Sequence, residues 1–354
     1  MKQKILPAIF SIIVVLLFSL LSGEAAVRIF HFFHPLFIFH DDSYNRFRGK
    51  PFAPDFDFKL NSLGFKDTEF SQHKSSKFRI AAIGDSFSYG VVPYKDNYLT
   101  LLESKLKDQG IDAEICNLGI PSTGPKEYLA LLEQEGLRLH PDMVLLSFFI
   151  GNDFSESGGK KKWYEYSYLA SLLRYLLMIR PKYEGQVVHG AGAYCDDCPS
   201  FAVSTYLEIE KKRSSIYLTD NADFSALLAK SLDYLKQIKN ICTQKNIALS
   251  VVLIPDEVQV NAKLQEQVRA QFAQGKSKWN ILLPNEQLRA GLKQMHIDFL
   301  DLYPTFVEQG KTKQLYRLRD THWNIAGNQF AADLISQHVR FLPLFLSQKD
   351  NLLQ

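Results

Sequence analysis

The sequence predicts an α/β fold, a parallel sheet flanked by helices, behind an N-terminal transmembrane anchor. Three observations predict it. Short continuous apolar runs recur along the chain, as in strands buried on both faces. Longer stretches with apolar residues at helical spacing separate them, and such alternation argues for parallel strands joined by helical crossovers. Ahead of all of these, residues 5–23 are mostly apolar and carry no charge.

Lys2 and Lys4 precede that first stretch. Its 19 residues, at roughly 1.5 Å rise each, reach about 28 Å, close to the hydrocarbon thickness of a bilayer. A cleaved signal peptide is the competing reading. Its apolar region is usually only about 7–15 residues long, and Glu24 falls inside the one small-residue stretch that could be cut, 22–26. Basic residues ahead of a span keep the N-terminus cytoplasmic and export the chain beyond the span. The expected organisation is an anchor at 1–26, a lead-in at 27–77 broken by Pro35, Pro51 and Pro54, and a main domain at 78–345. That domain is expected to be periplasmic or extracytoplasmic and membrane-anchored, or secreted if the segment is cut.

With 46% hydrophobic residues the chain has ample core material, and 41 basic against 38 acidic residues leave a net charge of +3. No basic field argues for nucleic acid.

In the main domain, a strand at 78–83 ends in Gly84-Asp85-Ser86, and Tyr98, Leu99, Leu102 and Leu106 share a helix at 97–109. A strand at 114–118 ends at Gly119; the helix after it has Pro125 in its first turn, with Tyr128, Leu131 and Leu132 on one face. The run at 143–150 stops at Gly151-Asn152-Asp153. Residues 155–220 break the rhythm and read as an insertion over the sheet, with a Tyr/Leu-rich helix around 166–179. The alternation resumes with a helix at 223–244, a strand at 248–254, a mixed helical region at 257–295, a strand at 297–302 and a last helix at 324–341.

Four cysteines are few. Cys195 and Cys198 form a C-D-D-C pair; zinc would need two further ligands at matching spacing, so in an exported chain the pair is a disulfide candidate. Cys116 and Cys242 stand alone in apolar surroundings and read as core thiols.

Ligands of open parallel sheets bind outside the carboxyl ends of the strands. The chemistry is therefore sought in the turn after each strand. Ser86 stands after the first, Gly119 after the second and Asn152 after the third, while Asp320-Thr321-His322 stands before the last helix. A serine needs a neighbouring base to act as a nucleophile, and His322 is the candidate, with Asp320 to orient its ring. The backbone N–H groups of Ser86 and Gly119 and the side-chain amide of Asn152 are candidate donors to an oxyanion. Each of these residues also has a bland reading, as a turn or cap. The four in this order point to acyl transfer. Asp96, Asp142 and Asp153 read as structural, and Asp301 is a second candidate for the acid.

These four blocks resemble the SGNH, or GDSL-type, hydrolase superfamily. The resemblance covers roughly residues 60–340 and includes the approach segment 61–67, N-S-L-G-F-K-D, which is similar to that of membrane-anchored bacterial members. It implies a flavodoxin-like three-layer α/β/α fold, no metal or other cofactor, a Ser-His-Asp triad, and Gly and Asn in the oxyanion hole. Many members place the acid three residues before the histidine, whereas Asp320 lies two before His322. The continuation H-W-N-x-x-G from His322 to Gly327 is similar to exported members acting on cell-envelope polysaccharides, relatives of alginate O-acetyltransferases among them. The expected activity is that of an esterase or carbohydrate O-acetyl esterase, acting on an ester-bearing small molecule or acylated glycan. O-acetyl transfer onto an exported polysaccharide is the alternative within enzymes, and a catalytically idle glycan-binding module the alternative outside them.

Overall fold

The computed structural model describes residues 2–33, 44–71, 74, 78–156, 162–178, 194–272 and 278–340. Pro35 and the end of the expected main domain past residue 340 lie outside the described residues. Two compact units form, Met1–Arg46 with Gly159–Glu184, and Phe47–Gly158 with Gly185–Gln354.

The chain opens with helix α1 (Lys2–Phe33), which runs past Ala26. Within it, Ile9–Phe33 is long and apolar enough to cross a membrane, by length and composition. The second unit begins with an antiparallel pair, β1 (Pro54–Asp55) and β2 (Phe58–Lys59). The sheet comes next. Strand β3 (Phe78–Ile83) leads into the short helix α2 (Ser86–Tyr89), and then come α3 (Tyr98–Asp108) and β4 (Ala113–Asn117). Next are α4 (Pro125–Gln134), β5 (Met143–Phe149) and α5 (Asp153–Glu156). Helix α6 (Tyr168–Met178) belongs to the first unit. The chain re-enters the second unit and forms α7 (Val203–Arg213), α8 (Ala222–Gln244) and β6 (Ala248–Ile254). It closes with α9 (Glu257–Val260), α10 (Ala262–Ala270), α11 (Leu283–Gln294), β7 (Asp298–Asp301), α12 (Tyr303–Gly310) and α13 (Ile325–Val339).

The strands pair in the order β4-β3-β5-β6-β7, all parallel. Parallel strands with helices on both faces are what the alternation predicts, and this strand order is the flavodoxin-like one that the resemblance implies. The apolar runs are continuous because both faces are covered: every residue of β3 and β5 is buried. Ile80, Ala82, Met143, Leu145, Val252 and Ile254 face a core shared with Tyr98 and Leu102 of α3 and Ala331 and Ile335 of α13. Alternate residues turn to the other face, where α4 and α11 pack against α8. Asparagines start the helices: Asn97 accepts from the Leu99 amide, Asn221 from Asp223, and Asn324 from Gly327.

The order reverses between β4-β3 and β5-β6-β7. The switch point lies between the carboxyl ends of β3 and β5, where doubly wound sheets bind ligands. Ser86 and Asn152 come directly after those two strands.

Candidate active site

Ser86 opens α2 and is half-buried. The Asp85 carboxylate accepts from the Phe87 amide at 2.9 Å and caps the helix. Gly84 must be glycine, because a Cβ there would lie 2.2 Å from Ser88 Oγ. Tyr98 OH bridges Ser88 Oγ at 2.8 Å and Ser147 Oγ at 2.6 Å, pinning the turn to α3 and β5. Asp85 is fully buried; burial pushes its carboxyl up to about 6, against the Phe87 amide and the charges of His322 and Arg213.

His322 enters from the loop before α13. Its Nε2 lies 2.9 Å from Ser86 Oγ and its Nδ1 2.6 Å from Asp320 Oδ1. The hydrogen bonds assign the tautomer: Nδ1–H donates to the carboxylate, leaving Nε2 to accept from the serine hydroxyl. Asp320 also receives the His322 amide at 3.2 Å, Arg317 Nη1 at 2.8 Å and Ser200 Oγ at 2.6 Å. Burial alone would raise its carboxyl. The charge and hydrogen bond of His322, with Arg317 and Ser200, outweigh that and hold it well below the usual carboxylate range. The next residue, Trp323, is buried against Phe87, Tyr98 and Phe306, which seats the loop on the core. The spacing of two residues thus suffices for contact. Asp301 is engaged elsewhere, accepting from the Tyr303 amide at 3.0 Å and pairing with Arg289 at 3.3 Å.

Gly119 requires a correction as an oxyanion donor. Its amide donates to Asn117 Oδ1 at 2.9 Å and is committed to its own turn. Its glycine character serves packing instead, since a Cβ would lie 2.3 Å from Tyr89 N and 2.5 Å from Ser88 C. Gly119 thus lets the β4 loop close on α2. The strained residue of that loop is Ser122, with φ 58°. Asn152 stands after β5 at the switch point, half-buried. The amide of Ser86 is among the first N–H groups of α2, which have no acceptor inside the helix.

Sequence reasoning missed the supports. Lys66, fully buried, donates to Gly90 O at 2.7 Å and Val92 O at 2.5 Å, and pairs with Asp55. Asp67 accepts from the Asn117 amide at 2.8 Å, while Asn117 Nδ2 donates to Ser88 O at 2.9 Å. The approach segment therefore braces both the nucleophile turn and the β4 loop. The segment was visible in the sequence through its resemblance, but the partners of Lys66 and Asp67 were not.

Residues 194–213, which fall within the expected insertion, also reach the site. Cys195 and Cys198 are joined by a disulfide with a Cα–Cα distance of 5.4 Å. The loop they close meets the histidine loop: Leu318 N donates to Asp196 O, Ile325 N to Asp196 Oδ1, and Ser200 N to Leu318 O. Ser200 then reaches Asp320. From α7, Arg213 pairs with Glu210 at 3.1 Å. Burial, and after it the charge of Asp256, pushes the Glu210 carboxyl well above its ordinary range. Asp256 in turn accepts from Thr321 Oγ1 at 3.4 Å, beside His322.

Asp153 and Asp142 act locally, the first accepting from Tyr128 OH and the Phe149 amide, the second from Lys74 and the Arg79 amide. Cys116 and Cys242 are buried free thiols. Among the described residues, no group of three or more His, Cys, Asp or Glu is arranged to hold a metal ion. A cleft of about 630 Å³ lies beside Arg317; its lining includes Glu257, Lys263, Lys313 and Arg319 but neither Ser86 nor His322.

The family model described as an SGNH hydrolase-like domain, acetyltransferase AlgX, matches residues 214–352. That stretch carries Asp320 and His322. Among solved structures, an acetyl xylan esterase is similar at 17% identity and TM-score 0.42, over 74% of this chain and 99% of that one. TesA is similar at 14% identity and TM-score 0.43, over 74% and 98%. A GDSL-like lipase from Bacteroides thetaiotaomicron is similar at 12% identity and TM-score 0.40, over 76% and 91%. No curated protein matches the chain. Over residues 214–352 the chain is thus similar to that SGNH hydrolase-like family.

Proposed function

We propose that this chain is a serine-dependent acyl-ester hydrolase, acting outside the cytoplasm on an O-acylated carbohydrate or simple ester. The observation that carries the reading is the line of hydrogen bonds from Ser86 Oγ through His322 to Asp320, at 2.9 and 2.6 Å. His322 Nε2 takes the Ser86 proton as Oγ attacks the acyl carbonyl, and Asp320 stabilises the imidazolium. The Ser86 amide and the Asn152 side-chain amide are the proposed donors to the oxyanion. Collapse expels the alcohol, protonated by His322. Water, deprotonated by the same ring, then releases the acid and restores the serine. Helix α1 supports an uncleaved anchor that holds the domain on the outer side of the membrane.

Transfer of the acyl group to a sugar hydroxyl is the second reading, supported by the acetyltransferase description of the matching family. The two differ only in what deacylates the enzyme. Ser86→Ala should abolish turnover of p-nitrophenyl acetate and labelling by a fluorophosphonate while the circular dichroism spectrum is kept. Undiminished turnover would end the serine mechanism. Following the acetyl group with oligosaccharide acceptors present separates hydrolysis from transfer.

A further inference from the structure

We propose that residues 163–178 are a second membrane element, docked on α1 and inserted into the bilayer that α1 crosses. The proposal rests on α1 as a membrane span and goes beyond the hydrolase reading.

Glu24 is the first charge after the apolar run of α1. Its carboxylate is used up by the start of α6: it accepts from Tyr168 N at 3.0 Å, Leu169 N at 2.8 Å and Ser167 Oγ at 2.8 Å. Those amides have no partner inside their own helix, and an anion there also suits the helix dipole. Arg28 Nε donates to the same carboxylate at 2.7 Å and its guanidinium lies 4.3 Å from the Tyr168 ring centre. A charge paired this fully can sit at the edge of the hydrocarbon.

Helix α6 therefore starts at the depth of Glu24, where the apolar run meets the headgroups. Its direction is set by its contacts. Arg28 donates to Tyr166 O, and His31 packs edge-on against Tyr168. A Cβ on Gly23 would lie 3.1 Å from Leu169 Cδ2. From Tyr168 to Leu169 the contact thus steps from His31 back to Gly23 of α1, which points the start of α6 along the apolar run. Its 11 residues span about 16 Å at 1.5 Å each, roughly half the hydrocarbon thickness.

The side chains suit that depth. Leu173, Leu176 and Leu177 are exposed, Leu177 to 77%; water gives such a patch no partner, whereas lipid does. Arg174 is the charge on α6, and its guanidinium turns back to lie 4.4 Å from the Tyr164 ring centre. Its stem covers the helix while its head stays near the headgroups. Trp163, 83% exposed, and Tyr166 stand at the entry, after Lys162. Aromatic rings with an adjacent cation suit a membrane interface, where the rings sit among the headgroups and the cation meets their phosphates.

The test uses the full chain in vesicles of phosphatidylcholine and phosphatidylglycerol, with acyl chains brominated near the headgroup end. Flotation first reports whether α1 holds the chain in the membrane. Bromolipid should quench part of the tryptophan emission, and Trp163→Phe should remove that quenched part while leaving flotation and ester turnover unchanged. Glu24→Gln should lower the quenching at least twofold with flotation intact. As a second measurement, Leu177→Cys should react with a membrane-impermeant maleimide at least tenfold more slowly in vesicles than in detergent. Equal quenching of wild type and Trp163→Phe, or equal maleimide rates, in a chain that floats overturns the proposal and spares the anchor. A chain that does not float overturns both.

Discussion

At Asp320, four donors from four chemical groups meet one carboxylate, and the pull of His322 and Arg317 keeps it ionised in spite of burial. Its loss should cost less than loss of the base, since the imidazole still accepts a proton without its orienter. His322→Ala should match Ser86→Ala, with kcat down by about 10⁶, and Asp320→Asn by about 10⁴. Steady-state kinetics on p-nitrophenyl acetate check this, and a silent Asp320→Asn would transfer the role to another acid. Gly119 makes the opposite kind of contribution, through what it lacks. Gly119→Ala drives a Cβ into the backbone of Ser88 and Tyr89, so the nucleophile turn must move. The expected result is a fall in kcat of about 10² with the fold retained, since small displacements of reacting groups are that costly. Unchanged kcat would show that the turn tolerates the shift.

Among elements, the nucleophile turn is held from outside by a segment of little regular structure. Lys66 neutralises Asp55 and satisfies the carbonyls of Gly90 and Val92, just past the end of α2. Lys66→Met preserves the volume but leaves the Asp55 carboxylate without its counter-charge and two carbonyls without their donor. Removing one partner of a buried pair costs about 3–5 kcal/mol, so chemical denaturation should show a loss of that order. Lys66→Arg, which keeps the charge, should recover part of it. A loss below about 1 kcal/mol in Lys66→Met would show that water replaces the ammonium.

For the whole molecule, the buried carboxyls set how stability varies with pH. Burial pushes Asp85 up to about 6 and Glu257 up to about 7, and Glu210 well above its ordinary value. In the unfolded chain these groups titrate near 4. Between about pH 4 and 7 the native chain holds protons that the unfolded chain has released, so stability falls as pH rises through that range. Asp320 has the opposite sign: its contribution is complete above about pH 4 and fades below it, as the unfolded acid takes up a proton first. Thermal melts of the detergent-solubilised chain should therefore have a higher midpoint at pH 5 than at pH 8. The reverse order would mean that these acids are ionised in the native state.

The five strands of the main sheet, their parallel sense and the apolar N-terminal helix were determined by the sequence itself. A strand covered on both faces has to be a continuous apolar run, and β3 and β5 are such runs. Ser86, Asn152 and the loop of Asp320 and His322 were legible for a related reason, because in a parallel sheet the chemistry gathers at the strand ends. The tertiary structure decided what these residues touch. Ser200 reaches Asp320 across 120 residues of chain. Lys66 lies 24 residues from Gly90, and Gly119 turned out to spend its amide on Asn117. Periodicity reports which face of an element is buried, a local property. The partner of a buried polar group depends on which distant loop the chain path brings beside it, and no local pattern encodes that.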